Sequence, residues 1–268
     1  MVRPRWWVEV LVIGVFYAAY GFVRNEFGSG HVAPSKALAN AIDVIDIERA
    51  MGLYVEPAIQ RAFIDHVGFI QFWNLFYGLF HFLVTFGVLI WLYLRRPGQY
   101  RFWRTAGLAC TGLALVGFAT FPLMPPRLLA SCDSAYGGCV TAANAAGTPA
   151  LDAGDADYVD TVIEMGGLWS FESEGMEDFS NQYAAMPSLH VGWALWSALA
   201  LLATVRSRMA RFLAASYPIL TMFAIVVTAN HYWIDGVGGA LVVFLGLLVA
   251  KVLGARVGAG QSATIVDG

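Results

Sequence analysis

Charged residues leave the chain for long intervals. No Asp, Glu, Lys or Arg occurs between His66 and Leu94, Thr105 and Pro126, Phe179 and Val205, or Phe212 and Ile234. Each interval exceeds the ~18 apolar residues that suffice for a membrane span. Two shorter stretches, Val10 to Val23 and Gly236 to Ala250, reach that length when Trp6, Trp7 and Lys251 sit in the interface. The pattern predicts six spanning helices at about 6–23, 67–94, 103–121, 187–204, 212–229 and 233–252. The expected fold is all-α and polytopic, a single membrane-embedded domain over residues 1–268. The first helix lacks a clear small-x-small cleavage site before a soluble chain, so it is expected to be retained.

Between the spans the pattern changes. Arg24-Asn25-Glu26 closes the first helix, and Gly28, Gly30 and Pro34 break it. Over residues 36–62, Leu38, Ile42, Ile45 and Met51 recur at helical spacing among Asp43, Asp46, Glu48 and Arg49, with Pro57 interrupting. That predicts amphipathic helices lying on the outer surface. Arg95-Arg96-Pro97-Gly98 makes a turn, and Pro122, Pro125 and Pro126 stop the third span. A long segment from Arg127 to Ala185 follows, with ten acids and no Lys or Arg after Arg127. Its Ala/Gly-rich first half is expected to be poorly ordered. The second half, with Ile163, Met165, Leu168, Trp169 and Phe171, either packs down as a cap of about 127–186 or forms a solvated loop.

Composition agrees: 58% of residues are hydrophobic and 13% charged, against about a quarter charged in soluble domains. Basic residues set the orientation. With six spans and cytoplasmic termini, 11 of the 16 Lys and Arg fall inside, leaving Arg24, Lys36, Arg49, Arg61 and Arg127 outside. Cys132 and Cys139 then lie outside, where their spacing permits a disulfide, unless they are two unpaired loop thiols. Cys110 reads as a small apolar residue within a span.

The candidate chemistry gathers at the outer helix ends. His190 lies in Met186-Pro187-Ser188-Leu189-His190, and His231 in Asn230-His231-Tyr232-Trp233-Ile234-Asp235. Ionisable groups at membrane depth are costly and usually functional. Residues four apart share a helix face, so Asp235 can accept a hydrogen bond from His231, fixing the tautomer and freeing the other ring nitrogen as a nucleophile. Pro187 suits a first helical turn, whose free N–H groups would form a phosphate site. Arg127 supplies a permanent charge in a planar fork.

Pro-Ser-x-His followed by His-x-x-x-Asp on adjacent spans resembles the type 2 phosphatidic acid phosphatase superfamily. Phe121-Pro122-x-x-Pro125-Pro126-Arg127 and Asn230-His231-Tyr232-x-x-Asp235-x-x-Gly238-Gly239 resemble its inositol phosphorylceramide synthase branch. The resemblance implies that His231 attacks phosphorus to give a phosphohistidine while Asp235 orients it. It implies that His190 protonates the leaving alcohol and then deprotonates the accepting water or alcohol. No metal or other cofactor is expected. Two cations of the phosphatase form are missing, with Thr120 where its Lys would be and Ile225 where an Arg would be; Leu128 and Leu189 also depart from the pattern. Arg127, Ser188 and Arg24 are the candidate phosphate-binding residues, although Arg24 also reads as an interface anchor. Asn74, Tyr77 and His81, at i, i+3 and i+7, and Asn230 are candidate contacts to a headgroup or acceptor, or helix–helix hydrogen-bonding groups.

The leading expectation is a membrane phosphotransferase that moves a phosphoryl-linked, inositol phosphate-like headgroup at the extracytoplasmic face. The runner-up is a lipid phosphate phosphatase using the same residues. The partner is a lipid phosphate or phosphoinositide-like substrate, and no nucleic acid is expected. Two other classes are a haem protein ligated by His81, His190 or His231, which leaves Asp235 and Arg127 without a role, and a transporter, which tends to have internal repeats and midplane polar sites.

Overall fold

The computed structural model describes residues 4–27, 32–129, 131, 136–138, 157–166 and 181–266. Cys132, Cys139 and His31 lie outside them, as do Leu168, Trp169 and Phe171 of the expected cap. Helix α1 runs Trp6–Phe27, through Arg24-Asn25-Glu26, so those polar residues do not end it. Pro34, expected as a breaker, instead opens α2 (Pro34–Ala50), because the first turn needs no N–H from it. Gly52 at φ 69° follows the end of α2, a left-handed position that glycine occupies without strain. Pro57 falls in the first turn of α3 (Glu56–Phe63).

The second expected span is one apolar helix, Val67–Arg95, with a π-helical turn in it. It divides into α4 (Val67–Leu75), the π turn Phe76–Phe80 and α5 (His81–Arg95). Helix α6 (Pro97–Thr120) begins earlier than the 103 expected, since Pro97 again suits a first turn. Then come α7 (Pro126–Leu129), α8 (Thr161–Glu164), α9 (Leu189–Thr204), α10 (Arg208–Val227) and α11 (Trp233–Val266). Among the described residues there is no strand, only a single bridge between Leu123 and Ala184.

Among the described residues, five helices are long and apolar enough to cross a membrane: Trp6–Val23, Val67–Arg95, Pro97–Thr120, Arg208–Val227 and Trp233–Gly254. The other expected span, 187–204, is apolar but has 16 helical residues, Leu189–Thr204, fewer than the ~18 that the length criterion asks for. It starts only at Leu189, since Ser188 is extended, at φ −65° and ψ 110°. The first helical turn expected at Pro187 is therefore not formed.

Helix α9 is the centre of the bundle, packed against α5, α6, α10 and α11. Trp196 is fully buried there, its indole N–H donating to the Trp103 carbonyl at 2.9 Å. Small residues bring backbones together. A Cβ on Gly246 of α11 would stand 2.6 Å from the Ala106 carbonyl of α6, and one on Gly239 would overlap the Ser188 carbonyl.

Helix α1 is largely exposed and packs Phe16, Tyr20 and Val23 on Ala114, Leu115 and Phe118 of α6. Near its start Glu9 is buried, paired with Arg104 at 2.6 Å and accepting from the Tyr100 hydroxyl at 3.0 Å.

Helix α2 is more deeply packed than a helix resting on a surface. Leu38, Ala41 and Ile45 join Leu123, Met124, Leu128 and Tyr232 in one core where α10 gives way to α11. Glu48 belongs to this buried face and not to the polar one, with no exposed surface at all.

Candidate active site

Three turns and a distorted helix meet at one end of the bundle. After α10, the chain closes through Ala229, which is left-handed at φ 52°. The Asn230 amide group donates to Thr228 Oγ1 at 2.9 Å and to its carbonyl at 3.2 Å. The Asn230 backbone N–H reaches back to the Ile225 carbonyl at 3.0 Å. Asn230 is thus committed to shaping the turn, and His231 projects from it into the protein, 3% exposed.

Asp235, in the first turn of α11, is fully buried. Its Oδ2 accepts from His231 Nδ1 at 3.1 Å and from the Tyr232 N–H at 3.1 Å. With Nδ1–H engaged, the lone pair of His231 sits on Nε2. That nitrogen lies 3.5 Å from the hydroxyl of buried Ser188. The Ser188 N–H donates to the Asp235 carbonyl at 2.9 Å, joining the two motifs directly.

His190 is the second residue of α9, with its ring centroid 5.5 Å from that of His231. Tyr77 stacks on it at 4.2 Å and 22°, and His81 meets it edge-on at 4.2 Å. His81 donates from Nδ1 to the Tyr77 carbonyl, 2.8 Å away.

The π turn explains this grouping, since an extra residue in one turn re-aims the side chains on either side of it. A regular helix would set Asn74, Tyr77 and His81 on one face. Instead Tyr77 and His81 meet His190, while Asn74 donates to the Thr161 carbonyl at 2.8 Å and the Gly166 carbonyl at 3.2 Å. Asn74 also accepts from the Thr161 hydroxyl at 2.8 Å. It anchors the segment 157–166, which packs onto α3 and α4 through buried Tyr158 and Thr161.

Arg127 is placed by its own N–H, which donates to the Ala229 carbonyl at 2.8 Å. Its guanidinium pairs with Asp160 at 2.6 Å and donates to Gln182 Oε1. Asp160 also caps α8 by accepting from Val162 and Ile163 N–H groups. Sequence reasoning missed both partners. An Asp before Thr-Val-Ile-Glu has the form of a helix cap; nothing comparable marks Gln182. Of Arg24, only the backbone, within α1, is described.

A cavity of about 600 Å³ is lined by His190, His231 and Tyr77 and runs between α1, α5, α6 and α9 to Tyr100 and Arg104. Along α6 it extends from Phe118 to Tyr100, about 27 Å at the helical rise per residue, close to the ~30 Å of a bilayer core. Val12, Phe16, Phe86, Leu108 and Trp193 give it a largely apolar wall.

The PAP2 superfamily family model matches residues 42–249. The chain belongs to the PAP2 superfamily. No curated protein and no solved structure matches it. Membership supports a phosphatase- or phosphotransferase-type enzyme acting on lipid phosphates. The match includes the π turn, Arg127 and both histidine motifs, and leaves α1 outside. The two cation positions that differ from the superfamily's phosphatase pattern are neutral in the structure. The Thr120 hydroxyl donates to the Val116 carbonyl at 2.8 Å, and Ile225 is fully buried beside Val191 and Val226.

The superfamily match is to phosphatase-type enzymes and lends the haem reading no support.

The joined motifs give one prediction. Gly239→Ala forces a Cβ onto the Ser188 carbonyl, so it should push Ser188 and His190 away from His231 and lower kcat by about 100-fold. Gly246→Ala makes a comparable clash with the α6 backbone, away from the histidines. It should cost about 1–3 kcal/mol of stability while the folded fraction keeps kcat within a few-fold. Activity and thermal melts of both purified variants check this.

Proposed function

We propose that this protein is a lipid phosphotransferase in which His231 carries the phosphoryl group covalently. The observation that carries the reading is the direction of His231: Nδ1 is held by Asp235, Nε2 lies 3.5 Å from the Ser188 hydroxyl, and His231 and His190 both line the long apolar cavity. Nε2 attacks phosphorus, the P–O bond to the departing lipid alcohol breaks, and His190 delivers the proton to that oxygen. An acceptor alcohol then gives its proton to His190 and attacks the phosphohistidine, restoring His231. Tyr77, stacked on His190, holds the acid–base ring, and the cavity receives hydrocarbon chain.

Charge favours a phosphodiester donor. A phosphomonoester carries about −1.5 to −2 near neutral pH, whereas a diester carries a single negative charge. Arg127 is already paired with Asp160, and the two positions occupied by cations in the phosphatase pattern are Thr120 and Ile225. That balance suits a monoanion, and therefore transfer of an inositol phosphate-like headgroup over hydrolysis of a lipid monoester. A phosphatidylinositol-type diester plus a lipid alcohol should yield a new phosphodiester identifiable by mass. Rapid release of inorganic phosphate from phosphatidic acid, indifferent to every alcohol tried, would make the protein a phosphatase.

The distribution of Lys and Arg supports six crossings, with α9 as the short sixth, cytoplasmic termini and an extracytoplasmic site. A cysteine introduced at Asp157 should react with an impermeant thiol reagent on intact cells, and one at Arg208 should not. The reverse labelling would move the site to the cytoplasm.

A further inference from the structure

Glu48 and Glu56 are fully buried outside both histidine motifs, and neither forms an ion pair with a basic side chain among the described residues. Both face the first turn of α11. Glu48 Oε1 accepts from the Ile234 N–H at 3.2 Å, and Glu56 Oε1 accepts from the Trp233 N–H at 2.9 Å. Asp235 takes the Tyr232 N–H at 3.1 Å, so three consecutive N–H groups beside His231 each end on a carboxyl group. Free N–H groups at a helix start attract negative charge. Three neighbouring buried carboxylates would nevertheless repel strongly.

The hydrogen bonds show how two of these groups divide their labour. Both oxygens of Glu56 accept backbone N–H groups, Trp233 on one and Val55 on the other at 2.9 Å. Glu48 has only one oxygen so engaged, and its Oε2 is buried without a donor. The two side chains serve consecutive N–H groups, Ile234 and Trp233, which sets their carboxyl groups side by side. A proton on Glu48 Oε2, donated to Glu56, satisfies that oxygen and removes one of the charges.

We infer that Glu48 and Glu56 form an acid pair sharing one proton, with Glu48 neutral and Glu56 ionised, that positions the His231–Asp235 turn for catalysis. Burial, and then the neighbouring Glu56, pushes Glu48 up to about 9. Burial also raises Glu56, while the Trp233 N–H and its other donors pull it back. Around the pair stand Asp235, Tyr232, Tyr54 and Tyr158, with Arg49 over the Tyr54 ring at 5.1 Å. Neither glutamate touches the substrate path through the cavity, so both are positioning residues. By fixing where α11 begins, they fix the distance from Asp235 to His231.

The inference rests on His231 and Asp235 being catalytic, and the test separates the two ideas. Glu48→Ala should lower kcat by about 100-fold with little change in KM, as a small displacement of a reacting group does. Glu48→Gln should rescue most of that loss, because its amide can donate to Glu56 and accept from Ile234. Glu56→Gln should not be rescued, because one of its two N–H donors loses its acceptor. A second readout does not need the alanine variant to fold. An acid raised from 4.5 to about 9 on folding adds stability at low pH that is lost as pH climbs toward 9. Thermal stability of the wild type in detergent should therefore fall between pH 7 and 9, and Glu48→Gln should flatten that fall. If Glu48→Gln is as impaired as Glu48→Ala, or keeps the wild-type pH slope, the shared proton is wrong. If Glu48→Ala and Glu56→Gln keep wild-type kcat while His231→Ala is inactive, the pair has no positioning role and the catalytic reading stands.

Discussion

Replacing Asp235 with Asn should lower kcat by about 10⁴-fold, the scale seen when the carboxylate behind a catalytic histidine is neutralised. Oδ2 of Asp235 accepts two hydrogen bonds, from His231 Nδ1 and the Tyr232 N–H. The other oxygen, Oδ1, is buried without a partner. An Asn with its carbonyl oxygen in the place of Oδ2 keeps both bonds but loses the negative charge that stabilises the ring as it becomes positive. Turned the other way, its NH2 group gives up the Tyr232 N–H and faces a deprotonated Nδ1, which moves the histidine's proton to Nε2 and removes the nucleophilic lone pair. The fold should survive, since the change is isosteric and removes a buried charge. Unchanged melting with kcat near wild type would mean that Asp235 is a structural cap only.

His231→Ala should be the more damaging change, with turnover down by about 10⁶-fold or more, as for removal of an enzyme's nucleophile. No neighbour can take over: Ser188 is buried and 3.5 Å from the ring, and His190 is held against Tyr77 and His81. Truncation also strands Asp235 in an apolar surrounding, so the variant should lose stability. His231→Asn, whose amide can still donate to Asp235, keeps that bond and should be equally inactive but more stable. Measuring kcat and melting for the pair separates chemistry from folding.

The apolar intervals were readable because membrane burial leaves a signal in composition that needs no tertiary information. His190, His231 and Asp235 were readable because their spacing carries the chemistry, and the structure brings all three together. Their roles follow from the superfamily resemblance and await direct test. What the sequence hid came from long-range packing. Glu48 read as one of the polar residues among Leu38, Ile42 and Ile45, but it is buried, because the Ile234 N–H it serves is 186 residues away in the chain. The π turn has no sequence signature, and without it Asn74 reads as a cavity group instead of an anchor for segment 157–166. Arg127 stood out as a cation after two prolines, while its pairing with Asp160 depends on how that distant segment folds back.

The central claim is a phosphoryl group on His231. Purified protein should be mixed with a phosphodiester lipid labelled with ³²P in its phosphate, quenched in alkali to preserve phosphohistidine, and digested for peptide analysis. The account predicts alkali-stable, acid-labile label on the peptide containing His231, more of it in His190→Ala with a good leaving group, and none in His231→Ala. Full turnover of the lipid with no label on His231, or label that persists in His231→Ala, would contradict it.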